Sequence, residues 1–240
     1  MSHLARPDDE SARERKGWGE ETTISFEINI HDCPKSNVII VNYPGYQGDI
    51  DGYQGKYRTL ADVIQRKGIG AVIRMDNRYR YGFLYEKSAV ADLRATIDYA
   101  LANAESICST REPDLYLMGF SAGAGAIAIV SPDYPQIKKV LLLAPSVDAG
   151  KAAIEEAFGK FRGEVYIAVG EYDECVGKAA GDYFLGLATG ASKKTLVVIP
   201  NCDHQFQGWV NGKIMSKAPF WAFAGDESFP SPDGGVILYE

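Results

Sequence analysis

The sequence is short of several things, and each shortage removes a class of function. No apolar run is long enough for the core of a signal peptide or for a membrane span, so the cytoplasm is the expected location. Positive charge is in deficit, with 25 Lys and Arg against 32 Asp and Glu and a net charge of -7. Such a chain offers no basic face to nucleic acid or to an anionic membrane, so neither is expected as a partner. Cysteine is sparse: Cys33, Cys108, Cys175 and Cys202 show no C-x-x-C spacing, and nowhere along the chain do they gather with histidines into a zinc-type set of four ligands. A zinc site would need such a cluster, so neither metal nor cofactor is expected and the thiols read as free. Histidine is rarer still, with three in all, and there is no internal repeat, linker or low-complexity tract.

What is present is 240 residues, 46% hydrophobic and 24% charged, which suits one domain with a buried core. Residues 8–21 are largely charged, so the expected organisation is a solvated arm over 1–21 and a single domain over 22–240. Thr23 to Ile30 alternates and reads as a first strand, and "NVIIVNY" (37–43) is a continuous apolar run of the kind a buried parallel strand requires. "GAVIRM", "DLYLMGF", "KKVLLLAP", "GEVYIAVG" and "KTLVVIP" read as further strands. Helical stretches near 58–67, 87–104, 123–130, 151–158 and 177–188 separate them. The alternation predicts an α/β fold: a predominantly parallel central sheet with helices on both faces.

The stretch "LYLMGFSAGAGAIAIV" (115–130) carries two motifs at once. Gly119-Phe-Ser121-Ala-Gly123 is G-x-S-x-G, the setting of a nucleophilic serine on a sharp strand-to-helix turn. Gly123-Ala-Gly125-Ala-Ile-Ala128 is a loose dinucleotide fingerprint. A phosphate cradle needs its first glycine at the strand's end, yet the glycine there is Gly119, with no second glycine two residues on. The serine reading is therefore favoured, and it requires partners.

They follow in order. "GEYDECV" puts Asp173 in the loop after one strand, and "NCDHQF" puts His204 in the loop after the next. Carboxyl ends of parallel strands open on one edge of a sheet, where α/β proteins place their chemistry. His204 would take the Ser121 proton while Asp173 orients the imidazole. His3, in the arm, and His31, far upstream, compete poorly for that role. Asp148 and Asp203 are the other candidate acids; the first lies one strand-end loop earlier and the second is the immediate neighbour of His204.

Over roughly residues 22–206 the chain resembles the α/β-hydrolase superfamily, in "VIIVNYPGYQGD", "MDNRYRYG", "GFSAG", "GEYDECV" and "DHQF". The resemblance implies an oxyanion hole made by the backbone N–H groups of Tyr46 and Ala122, with Pro44 standing where relatives commonly carry a His-Gly opening. Only about twenty residues separate "LLLAP" from "EVYIAV", too few for a lid, so no cap domain and an open pocket are expected. Beyond about 207, where relatives usually finish with a helix, "GWVNGKIM" carries a hairpin-like Asn211-Gly212 signal. An aromatic tail without helical period follows, expected to pack on the body of the domain.

Seven tyrosines between 43 and 85, Tyr43 among them, suggest an aromatic entrance, and Arg78 and Arg80 are candidate anchors for a substrate carboxylate or phosphate. The resulting expectation is a serine hydrolase for a small carboxylic ester or thioester. A peptidase or acyltransferase on the same triad, and a non-catalytic binding module of the same fold, are the alternatives.

Overall fold

The apolar runs become the strands of one sheet in the computed structural model, which describes residues 2–5, 13–15, 21–23, 28–33, 35–77 and 84–238. In chain order the strands are β1 (Ser2–Ala5), β2 (Arg13–Arg15), β3 (Glu21–Thr23), β4 (Ile28–His31), β5 (Val38–Tyr43), β6 (Ala71–Met75), β7 (Asp114–Phe120), β8 (Ile137–Leu143), β9 (Glu164–Gly170) and β10 (Lys193–Ile199). The helices are α1 (Lys56–Arg66), α2 (Leu84–Ala102), α3 (Ala104–Cys108), α4 (Ala122–Val130), α5 (Lys151–Ala157), α6 (Gly177–Leu187) and α7 (Gly208–Ala224). Eight strands pair in the order β1-β4-β6-β5-β7-β8-β9-β10. From β6 to β10 all neighbours are parallel, while β4 and β1 add two antiparallel strands at one edge.

Strand alternation divides the core in two. Ile39, Val41 and Tyr43 of β5 pack with Leu93 and Ile97 of α2, the alanines of α4 and Phe184 of α6. Val38 and Ile40 point the other way, into a cluster with Leu60 and Ile64 of α1 and Met215 and Ala218 of α7. Every residue of β5 is buried, and each fully buried Val or Ile contributes about 1.5–3 kcal/mol over exposure. The continuous apolar runs of the parallel strands follow from that two-sided covering.

Three stretches differ from the expectations. Of 23–30, read as one strand, Ile28–His31 forms β4, Thr23 ends the short β3, and residues 24–27 lie outside the described ones. Within the first 21 residues, Ser2–Ala5 pairs with β4, and Arg13–Arg15 pairs with Glu21–Thr23 in a small ribbon. The hairpin signal at Asn211-Gly212 is overturned, because the whole of 208–224 is the helix α7. The segment 225–238 folds back over it: Val236 N–H donates to Ser216 Oγ at 2.9 Å, Trp221 stacks on Phe229 at 4.6 Å, and Lys217 pairs with Asp226 at 3.4 Å. Covered on both sides, α7 buries Gly212, Ile214 to Pro219, Ala222 and Phe223, so its sequence carries no single apolar stripe. Between β8 and β9 the connection holds α5 and a short 3-10 turn, and no further domain. Among the described residues no helix is long and apolar enough to cross a membrane.

Candidate active site

β7 ends at Phe120, and the chain turns at Ser121 with φ 51° and ψ -119° before α4 begins. A non-glycine residue at positive φ is strained by about 1–3 kcal/mol and persists only where its surroundings fix it. Here they do: Ser121 N–H donates to Leu143 O at 2.9 Å, and its carbonyl accepts from Ala124, Gly125 and Ser146 at 3.0, 3.3 and 3.1 Å. The flanking glycines are required by contact. A Cβ on Gly119 would lie 2.6 Å from Ile127 Cδ1 and 2.8 Å from Ala124 N, and one on Gly123 would lie 2.3 Å from Pro44 O. On Gly125 it would meet Ser146 O at 2.4 Å. Backbone from neighbouring loops thus fills the space that a dinucleotide phosphate would need over Gly123 and Gly125, which removes the fingerprint reading.

The loops after β9 and β10 are stitched to each other. Tyr172 N–H donates to Cys202 O at 2.8 Å, Glu171 N–H to Ile199 O at 2.9 Å, and Asn201 N–H to Glu171 Oε2 at 3.0 Å. A Cβ on Gly170 would fall 2.3 Å from Cys202 O, so the loops approach as closely as glycine permits. That brings Asp173 and His204 together: His204 Nδ1 lies 2.8 Å from Asp173 Oδ2, and His204 Nε2 lies 3.2 Å from Ser121 Oγ. The Asp173 side chain is entirely buried, and its Oδ1 accepts the N–H groups of Cys175 and Val176, both at 2.9 Å. Those two donors hold the carboxylate facing the imidazole. Phe120 packs beside the His204 ring, centroids 5.1 Å apart.

The competing residues are engaged elsewhere. Asp148 is exposed and accepts from Ser146 Oγ at 2.8 Å, and Asp203 Oδ1 accepts from Gln207 N–H at 2.9 Å. His31 is buried in β4, where its Nε2 accepts from Arg74 Nε at 3.0 Å and its Nδ1 faces Asp62 at 3.1 Å. Burial first, then the Arg74 charge, push its pKa down, so it is a neutral structural imidazole. His3 lies on β1, four strands from β7.

The loop after β5 carries Tyr46 to the nucleophile's side. A Cβ on Gly45 would sit 3.0 Å from Phe120 O and 3.1 Å from Ser121 Cβ, which defines how tightly this loop backbone lies against the turn. The Tyr46 ring meets Tyr85 edge-on at 5.1 Å. Ala122 opens α4, where first-turn N–H groups have no acceptor within the helix. Tyr43, expected at the entrance, is instead a core residue: it is fully buried and its hydroxyl donates to Ala89 O at 2.9 Å. The alternation of β5 decides this, since the last strand residue points into the α2 side. Arg78 and Arg80 lie outside the described residues.

A cavity of about 340 Å³ adjoins the site, lined by the loop 45–49, Tyr53, Lys56, Tyr57, Phe120 and Gln205 among others. Lys56 was not legible as a site residue, because "GKYR" after a glycine-rich loop has the composition of a solvated helix start. It is only 3% exposed, and burial pushes its pKa down to about 8 against the opposing pull of Asp203. Cys202 is buried, and that burial chiefly pushes its thiol up to about 12, which disfavours the thiolate. Asp173, the exposed Cys175 and His204 offer ligand atoms within 4.8 Å of one another, a cluster invisible to sequence spacing because two loops build it. The Asp173–His204 hydrogen bond already occupies two of those groups with each other, which suits proton movement better than metal binding.

No protein-family model matches the chain, and no curated protein matches it significantly. Solved structures do. A dienelactone hydrolase from Anabaena variabilis ATCC 29413 superposes with a TM-score of 0.70 at 18% identity, covering 93% of this chain and 98% of that one. An esterase domain from a Rhodothermus marinus protein gives 0.63 at 14% identity, covering 90% and 95%. An α/β serine hydrolase without lid, from Xanthomonas campestris, gives 0.60 at 18% identity, covering 85% and 86%. With its mostly parallel sheet, helices on both faces and no inserted domain between β8 and β9, the chain has the lidless α/β-hydrolase fold.

Proposed function

We propose that the protein is a serine hydrolase that cleaves a small carboxylic ester or thioester through an acyl-enzyme. The observation that carries this reading is the unbroken hydrogen-bonded series from Ser121 Oγ through His204 to the buried Asp173 carboxylate. Ser121 Oγ attacks the acyl carbon as its proton passes to His204 Nε2, and Asp173 stabilises the imidazolium that forms. His204 then gives that proton to the departing alcohol or thiol, leaving the acyl group on Ser121. Water attacks the acyl-enzyme, returning a proton through His204 to Ser121 Oγ and releasing the acid. Backbone N–H groups of Tyr46 and Ala122 are the donors assigned to the oxyanion, each worth about 2.7–4 kcal/mol in such sites. Arg78 and Arg80 remain proposed contacts for an anionic substrate.

An ester or thioester is favoured over a peptide bond because the structural neighbours include a dienelactone hydrolase and esterases, and the adjoining cavity of about 340 Å³ suits a short acyl group. The test is a panel of esters and thioesters varying acyl length and charge, run on the wild type and on Ser121→Ala. The variant should keep its fold and lose turnover by about a millionfold. Wild-type turnover by Ser121→Ala, after contaminating esterases are excluded, would overturn the mechanism.

A further inference from the structure

Lys56 sits where a lysine is difficult to keep charged. It is the first residue of α1, so the helix dipole opposes its ammonium, and it is only 3% exposed. Its Nζ lies 4.9 Å from the centre of the Phe120 ring and 5.2 Å from that of Tyr57. Phe120 is in turn the ring packed on His204, so a single aromatic side chain separates the ammonium from the imidazole. Lys56 lines the same cavity as Gly45 and Tyr46 of the nucleophile-side loop and Gln205, the residue after His204. Asp49 also lines it, but its Oδ1 accepts the N–H groups of Asp51 and Gly52 at 3.1 and 2.6 Å, which turns that carboxylate toward its own loop.

We infer that this cavity is a carboxylate-binding subsite in which the Lys56 ammonium anchors an acidic group of the substrate, making the preferred esters anionic. The inference rests on the hydrolase reading and gives it a substrate class. A carboxylate entering beside the oxyanion loop would meet an ammonium already stripped of water and backed by two aromatic faces, and a charge-assisted hydrogen bond formed there is stronger than one in solvent. The small volume limits the occupant to a few carbons between the carboxylate and the scissile carbonyl or its ester oxygen.

The rival role for Lys56 is structural: a cation packed on Phe120 and Tyr57 and balanced by the Asp203 charge. The two roles separate on matched esters. Monomethyl glutarate and methyl pentanoate differ only in a carboxylate on the acyl limb; 4-acetoxybutyrate and butyl acetate differ chiefly in a carboxylate on the alcohol limb. The wild type should favour the anionic member of at least one pair by about tenfold or more in kcat/KM. Lys56→Met should bring the ratio of kcat/KM between the anionic ester and its neutral match to about one, mainly by raising KM for the anionic member. Lys56→Gln, checked by its melting temperature, serves if the methionine variant folds poorly. Binding gives a second readout that needs no turnover: by calorimetry, Ser121→Ala should bind monomethyl glutarate or 4-acetoxybutyrate, and the double variant with Lys56→Met should bind the same ester about tenfold more weakly. Equal losses on charged and neutral esters, no anionic preference in the wild type, or equal binding by the two variants would overturn the subsite. Absence of turnover with every ester would instead contradict the hydrolase reading, and the calorimetry would still decide the role of Lys56.

Discussion

The turn around Ser121 and the helix α7 are held in place by different kinds of contact. At the turn, Gly119, Gly123 and Gly125 each approach other atoms so closely that one added carbon would lie 2.3 to 2.6 Å from its nearest neighbour. Along α7, Ile214, Met215, Ala218, Ala222 and Phe223 are held by burial in a cluster shared with α1 and the sheet. At the first, single atoms decide the outcome. At the second, buried area decides, and area can be supplied by many side chains.

The largest expected effect sharpens that comparison with the exchange of one atom group for another of the same shape. Asp173→Asn should keep the fold and lose turnover on the order of ten-thousandfold, because an amide cannot hold the imidazole in the working tautomer. Asp148→Asn, on a carboxylate that accepts from Ser146, should leave turnover within about twofold. The reverse pattern would move the acid to the earlier strand-end loop. Next, Gly123→Ala should cost about 3 kcal/mol of stability in urea unfolding and lower activity as well, since its methyl would have to displace the Pro44 carbonyl. A stable, active Gly123→Ala would break the comparison at its centre.

Lys56→Met should act in the opposite sense. Held down from 10.5 to about 8, the buried ammonium destabilises the fold on the order of 3 kcal/mol below pH 8. Between pH 8 and 10.5 the unfolded chain keeps a proton that the folded chain has released, so wild-type stability rises with pH there. The variant should therefore be the more stable protein at pH 7, and its advantage should shrink across that window. An advantage that grows with pH would contradict the assigned burial. Smaller still, Met215→Leu in α7 should cost under about 1.5 kcal/mol, because it conserves volume. Trp209→Ala, at an exposed position of the same helix, should change stability by no more than about 0.5 kcal/mol.

The same contrast explains what could be read from the sequence. That Ser121, Asp173 and His204 lie together is legible because strand-end loops of a parallel sheet converge, and because close backbone contact restricts Gly119 and Gly123 to one residue type. The strands are legible because β5 and β6 are buried throughout and β7, β8 and β9 over their last four or more residues, which leaves runs such as VIIV, VLLL and VYIAV in the sequence. α7 was not, because the returning tail covers its outer face and removes the period that identifies a helix, and Asn211-Gly212 then reads as a turn. Tyr43 was misplaced by one step of alternation, which only the strand's register decides. The burial of Lys56 is not legible, because nothing in a lysine's neighbours along the chain signals it.

The central claim is that Ser121 is a nucleophile activated by His204. Intact-protein and peptide mass spectrometry after exposure to a fluorophosphonate tests it directly, since that probe leaves a covalent adduct only on an activated serine. The account predicts one adduct, on the peptide containing Ser121, formed rapidly by the wild type, slowly by His204→Ala and not at all by Ser121→Ala. No adduct on the folded wild type, or equal labelling of the wild type and His204→Ala, would contradict it.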